Sequence, residues 1–256
     1  MKTRAAPHSW PWHVGLWSER IGYYPYCGGT LISPSLILTA AHCIATVFEA
    51  SVGNFIDMEA ASGGQLHVLV GAHDYTKADA SQQLRLVRYA LLYPKQNYSI
   101  IGEGYDIAVL KLHEPITTDS NVRPICFSTE QVALQPGSIC YYAGWGGVYT
   151  NQPTGILEFP NALREAEVQL DSDDHCKDVY GAKFAKSNSC IRTEGNIPGE
   201  GDSGGGLFCL SEDDGRWFWY GLIEGAARNP REECAVISKF EAVHTWIQAT
   251  ALYLGL

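Results

Sequence analysis

The chain has 256 residues, a formal net charge of −10 and 46% hydrophobic residues, with only 18% charged. This composition excludes a disordered or collagen-like chain, and the excess of 28 Asp and Glu over 18 Lys and Arg argues against nucleic acid, whose phosphates need clustered cations. No segment approaches the roughly 18 uninterrupted apolar residues of a spanning helix, so no membrane partner is expected.

The opening Met-Lys-Thr-Arg-Ala-Ala-Pro has no apolar h-region and reads as no secretory signal. The eight cysteines, an even count, point instead to an oxidising compartment. Short β-favouring runs then succeed one another: 36–40, 65–70, 84–92, 107–112, 139–143, 166–170, 206–210, 217–223 and 235–238. Each is bounded by Gly, Pro, Asn, Asp or Ser, the pattern of an all-β sandwich or barrel. Loops 45–64, 95–104 and 146–161 are long enough to rim a binding cleft. Asn97-Tyr98-Ser99 is a glycosylation sequon, and 115–124, bounded by two prolines, is the expected crossing between two halves. The aromatic run Trp217-Phe218-Trp219-Tyr220 reads as hairpin and core packing. Only 239–254 shows helical spacing, with Phe240, Val243, Ile247, Ala251 and Leu254 at three- and four-residue steps; everything before it reads as strand and loop.

The sharpest chemical feature is Gly201-Asp202-Ser203-Gly204-Gly205. A serine nucleophile needs an exposed hydroxyl on a tight turn with free N–H groups near a developing oxyanion, and flanking glycines permit both. The same residues fit the G-x-S-x-G elbow of α/β-hydrolases, but that fold needs a helix after the serine and a later histidine. Here Ser203 leads into the strand-like 206–210, and the one later histidine, His244, lies in the terminal helix. The base is therefore sought upstream, where Thr39-Ala40-Ala41-His42-Cys43 ends an apolar run. A zinc role for His42 and Cys43 lacks any second C-x-x-C or H-x₃₋₅-H pair. Asp106 is the only carboxylate opening a wholly apolar strand, as the orienter of such an imidazole should.

With these motifs in this order, together with Cys27-Gly28-Gly29-Thr30-Leu31-Ile32 and Gly144-Trp145-Gly146, the sequence resembles the chymotrypsin-like, trypsin-fold serine proteases over nearly its whole length. The resemblance implies an all-β peptidase domain over 1–256: two six-stranded antiparallel barrels (8–115 and 125–238), the active site between them, and a terminal helix at 239–254. It implies His42 as general base, Asp106 as its orienter, Ser203 as nucleophile, and the N–H groups of Gly201 and Ser203 as the oxyanion hole. It implies disulfides Cys27–Cys43, Cys140–Cys209 and Cys176–Cys190, each worth roughly 2–4 kcal/mol, with Cys126 and Cys234 left over. No metal or organic cofactor is expected. The implied protein is a secreted, monomeric zymogen and glycoprotein whose partners are protein or peptide substrates and protein protease inhibitors.

Three departures from the family pattern modify that picture. The pocket floor is Ile197-Pro198 where trypsin-like relatives carry Asp, and Ala226 replaces glycine at the entrance. A basic P1 side chain would be buried without a counter-charge, so an apolar P1 preference is expected. Glu224-Gly225-Ala226 stands where the family has Ser-Trp-Gly, so Glu224 brings a second carboxylate toward Asp106 and, with Glu200, flanks the site. The alternative function this suggests is a catalytically impaired protease-fold binding protein. Finally, relatives are activated by cleavage that frees an ammonium to pair with the residue equivalent to Asp202. The chain reads as lacking a few residues at its front, and no residue in it is expected to serve as that ammonium.

Overall fold

The computed structural model describes residues 1–48, 55–60, 65–94, 104–127, 134–149, 157–181, 184, 186–211, 215–226 and 234–255, with only the backbone for 240–242. The sequon at 97–99 and much of the three long loops lie outside these residues.

Two closed six-stranded antiparallel barrels make up the fold. The first is built from β1 (His13–Trp17), β2 (Cys27–Ser33), β3 (Leu36–Thr39), β4 (His67–Val70), β5 (Gln83–Leu92) and β6 (Ala108–Leu112). They are ordered β5-β4-β1-β2-β3-β6 and closed by pairing of β5 with β6. The second contains β7 (Ile139–Gly144), β8 (Arg164–Leu170), β9 (Asn188–Arg192), β10 (Gly206–Leu210), β11 (Trp217–Ala226) and β12 (Cys234–Lys239). Their order is β8-β9-β12-β11-β10-β7, closed between β8 and β7. The period-two pattern that forms such walls is plain in β8, where Ala166, Val168 and Leu170 face the core.

The first barrel's core runs without a break through Trp10, Trp12 and Trp145 to Phe208 and Trp219 of the second. Trp10 stacks on Phe208 with ring centroids 5.6 Å apart, fixing the barrels' mutual position by wide aromatic contact. Thr3–Arg4 pairs with Glu165 and Arg164 of the second barrel, and Val243, Ile247 and Ala251 of the terminal helix join the core shared by the two barrels. Segment 115–124 belongs to the first barrel: Ile116 N–H donates to Pro34 O, and Arg123 N–H to Pro11 O.

The terminal helix spans Phe240–Tyr253, as its spacing predicts. Two further helices correct the reading of everything earlier as strand and loop. One, α1 (His42–Phe48), buries Cys43, Ile44 and Phe48. The other, α2 (Asp173–Tyr180), starts at Ser172, whose hydroxyl accepts from His175 N–H, with Asp173 and Asp174 in its first turn. Both features favour a helix N-terminus.

Candidate active site

His42 begins α1 directly after β3, and Asp106 lies just before β6, the strand paired with β3. This pairing carries the two side chains to one end of the first barrel. Asp106 accepts from His42 N–H through Oδ1 (2.9 Å), and its Oδ2 meets His42 Nδ1 in a short hydrogen bond. The contact fixes the imidazole with Nε2 as its other face. Burial would lower the His42 pKa. The charge and hydrogen bond of Asp106, with the charge of Glu224, outweigh burial and raise it above the ordinary 6.5.

Ser203 comes from the second barrel, on the turn before β10. Gly201 sits at φ +95°, a conformation that favours glycine, and Gly204 N–H donates to Ile223 O at 2.8 Å. Across the barrel interface Gly28 N–H donates to Ser203 O at 2.7 Å, docking β2 onto the Ser203 turn. The N–H groups of Gly201 and Ser203 donate to no described residue. His42, Gly201 and Ser203 line one cleft of about 510 Å³, walled by Tyr24, Pro25 and Phe159 and rimmed by the exposed Glu200. This wall is not visible in the sequence, because Phe159 lies far along the chain from Tyr24 and Pro25.

A β-bulge interrupts the register of β11 with β12 between Ile223 and Gly225, leaving Glu224 as the extra residue. Bulges re-aim side chains. Here the carboxylate turns inward, 4% exposed, to accept short hydrogen bonds from Asn188 Nδ2 and Ser238 Oγ, while its carbonyl accepts from Ser203 Oγ at 3.2 Å. Gly225 and Ala226 continue the strand half-buried; Ile197 is half-buried and Pro198 buried on the loop before the turn.

Asp202 holds the turn from behind. Its Oδ1 accepts from Gly146 N–H (3.0 Å) and its Oδ2 from Gly199 N–H (2.8 Å). A Cβ at Gly146 would lie 2.4 Å from the Asp202 carboxyl carbon, so only glycine admits this approach. The expectation that nothing in the chain supplies an ammonium for Asp202 is overturned: Lys2 Nζ lies 2.5 Å from Oδ2 and donates to Gly146 O at 2.8 Å. The physical reason is the pairing of Thr3–Arg4 with β8, extended by Ala5 N–H to Leu163 O, which delivers Lys2 to the turn.

Three disulfides join Cys27–Cys43, Cys140–Cys209 and Cys176–Cys190. Cys126, exposed, and Cys234, buried, stand outside them. A side chain at Gly199 would meet Gly147 O at 2.1 Å, so the backbone here is packed for glycine. Among the described residues, Cys27–His42–Cys43 and Asp171–His175–Cys190–Cys234 gather metal-ligand types. Disulfides occupy Cys27, Cys43 and Cys190, and Asp171 is engaged by His175 and by Arg192 (3.0 Å), so neither cluster offers a ready donor set.

The family model described as Trypsin matches residues 2–247. The chain belongs to the trypsin family. It is 30% identical over 254 residues to human chymotrypsin-like elastase family member 3B, covering 96% of this chain and 86% of that protein. It is also 30% identical over 219 residues to human atrial natriuretic peptide-converting enzyme, covering 84% of this chain but only 19% of that relative. The solved structure of neuropsin, a serine protease expressed in the limbic system of mouse brain, is similar with a TM-score of 0.75 and 26% identity. It covers 97% of this chain and 98% of its own. Trypsin-family relatives are proteases, and among the described residues no helix is long and apolar enough to cross a membrane.

Proposed function

We propose that the chain is a serine endopeptidase acting through an acyl-enzyme, with preference for apolar P1 residues. The observation that supports this reading is one cleft lined by both His42 and Ser203, with Asp106 hydrogen-bonded to His42 Nδ1. In this reading the Ser203 hydroxyl leaves the Glu224 carbonyl and gives its proton to His42 Nε2 as Oγ attacks the scissile carbonyl. The Gly201 and Ser203 N–H groups receive the oxyanion. His42 then protonates the departing amine, and water repeats the sequence to release the acid. Asp106 stays ionised throughout and stabilises the imidazolium.

Ile197 and Pro198 at the pocket floor, with Ala226 at its mouth, support medium-sized apolar P1 side chains, and one relative is named an elastase. The substrates are proteins or peptides, with protein inhibitors as further partners. The three disulfides support a secreted protein. The test compares kcat/KM on matched peptides bearing Arg, Phe, Leu, Met or Ala at P1. Leu or Met should lead, and an Arg preference would sink the specificity assignment. A second reading, a protease-fold binding protein with little turnover, is favoured by the bond from Ser203 Oγ to the Glu224 carbonyl. It predicts peptide binding without cleavage at every P1.

A further inference from the structure

Lys2 and Asp202 form the most deeply enclosed ion pair among the described residues, their side chains 1% and 0% exposed. They lie 200 positions apart in the chain. A carboxylate buried without a cation costs several kcal/mol even after relaxation. Asp202 stands between Gly201 and Ser203, so its side chain cannot leave the interior without rotating the peptide planes on either side. Those planes carry the N–H groups that would meet the oxyanion. The turn is further tied by Asp202 N–H to Gly199 O (3.0 Å) and Gly205 N–H to Asp202 O (3.1 Å), so a displaced carboxylate would disturb residues 199–205 together.

We propose that Lys2 is a positioning residue for the reaction: its ε-ammonium holds Asp202, and through it the oxyanion turn, in the productive form. The site is then competent whether or not the chain carries a free α-amino group near this point. The cation is a side chain, and Met1 is 53% exposed, so residues placed ahead of Met1 need not enter the buried site. Gly146 O and the two N–H groups that meet the Asp202 carboxylate complete a polar shell around the pair. This inference rests on the endopeptidase reading and adds how its oxyanion hole is kept in shape.

The experiment measures kcat and KM on the best peptide of the P1 panel for four proteins. These are the chain as it stands, the same chain preceded by an uncleavable Gly-Ser segment, and Lys2→Met in each form, with folding checked by circular dichroism. The extended wild-type chain should match the unextended one within about twofold, and Lys2→Met should lose roughly 10²-fold or more in kcat, the scale of a lost oxyanion donor, with KM nearly unchanged. A tenfold or greater loss on extension would overturn the proposal, since an α-amino group would then be required. So would a folded Lys2→Met with wild-type kcat. If Lys2→Met fails to fold, the comparison of the two wild-type chains decides alone. Wild-type turnover together with an indifferent Lys2→Met removes this inference only; no turnover in any wild-type form removes the endopeptidase reading with it.

Discussion

His42 and His13 are both drawn out of water, yet their protonation shifts in opposite directions. His13, on β1 in the first barrel, is 4% exposed and packs on Trp145 at 5.0 Å between ring centroids. Among the described residues neither of its ring nitrogens has a hydrogen-bond partner. Burial alone acts on it and lowers its pKa from 6.5 to about 3. His42, at the cleft, feels the same desolvation, but Asp106 and Glu224 reverse its sign. The difference lies in the carboxylates: beside them a buried imidazole holds its proton more tightly than in water, and without them burial alone drives it to the neutral ring.

The sharpest way to break the comparison is to take the carboxylate from His42. Asp106→Asn removes the group that sets its tautomer, and kcat/KM should fall by about 10⁴-fold. A loss below tenfold would show that Asp106 does not orient the base.

His13 gives the next largest effect, on stability. Because its folded pKa is depressed, the folded state stays neutral while the unfolded chain takes up a proton below 6.5. Its contribution is therefore intact above pH 6.5 and is lost as pH falls toward 3. The slope should approach about 1.4 kcal/mol per pH unit. Urea unfolding of wild type and His13→Phe between pH 4 and 7 should show the mutant losing less stability on acidification; parallel curves would contradict the assignment.

The smallest effect concerns Glu224. Since only neutral His42 can act as base, the acid limb of kcat/KM should have its midpoint above 6.5 in the wild type. Glu224→Gln removes one of the charges that raise it, so the midpoint should move to lower pH. An unmoved midpoint would mean that the carboxylate, held by Asn188 and Ser238, has no electrical effect on the base.

Much of the fold can be read from local pattern. The terminal helix announces itself by three- and four-residue apolar steps, and β8 and β10 by alternation or a short apolar run between turn residues. β2 is harder to read as a strand because Gly28 and Gly29 weaken its propensity; Gly28 is needed where a Cβ would lie 2.8 Å from Gly205 Cα. α1 escapes sequence reading because seven residues rich in β-branched side chains carry no cap signal, whereas the Ser-Asp-Asp start of α2 is a readable cap. His42, Asp106 and Ser203 are legible because each sits in its own local motif. Lys2 is not: its partner is remote, and nothing beside it in the chain indicates a buried cation. The orientation of Glu224 is hidden for a related reason, since it depends on a bulge set by the register between β11 and β12.

The central claim, that an imidazole held by Asp106 activates Ser203, is tested most directly by reacting the folded chain with a fluorophosphonate and mapping the adduct by mass spectrometry. One adduct per chain, located on Ser203 and abolished in His42→Ala, is the predicted result. A folded chain that stays unlabelled, or labelling of Ser203 that persists at the same rate without His42, would contradict it.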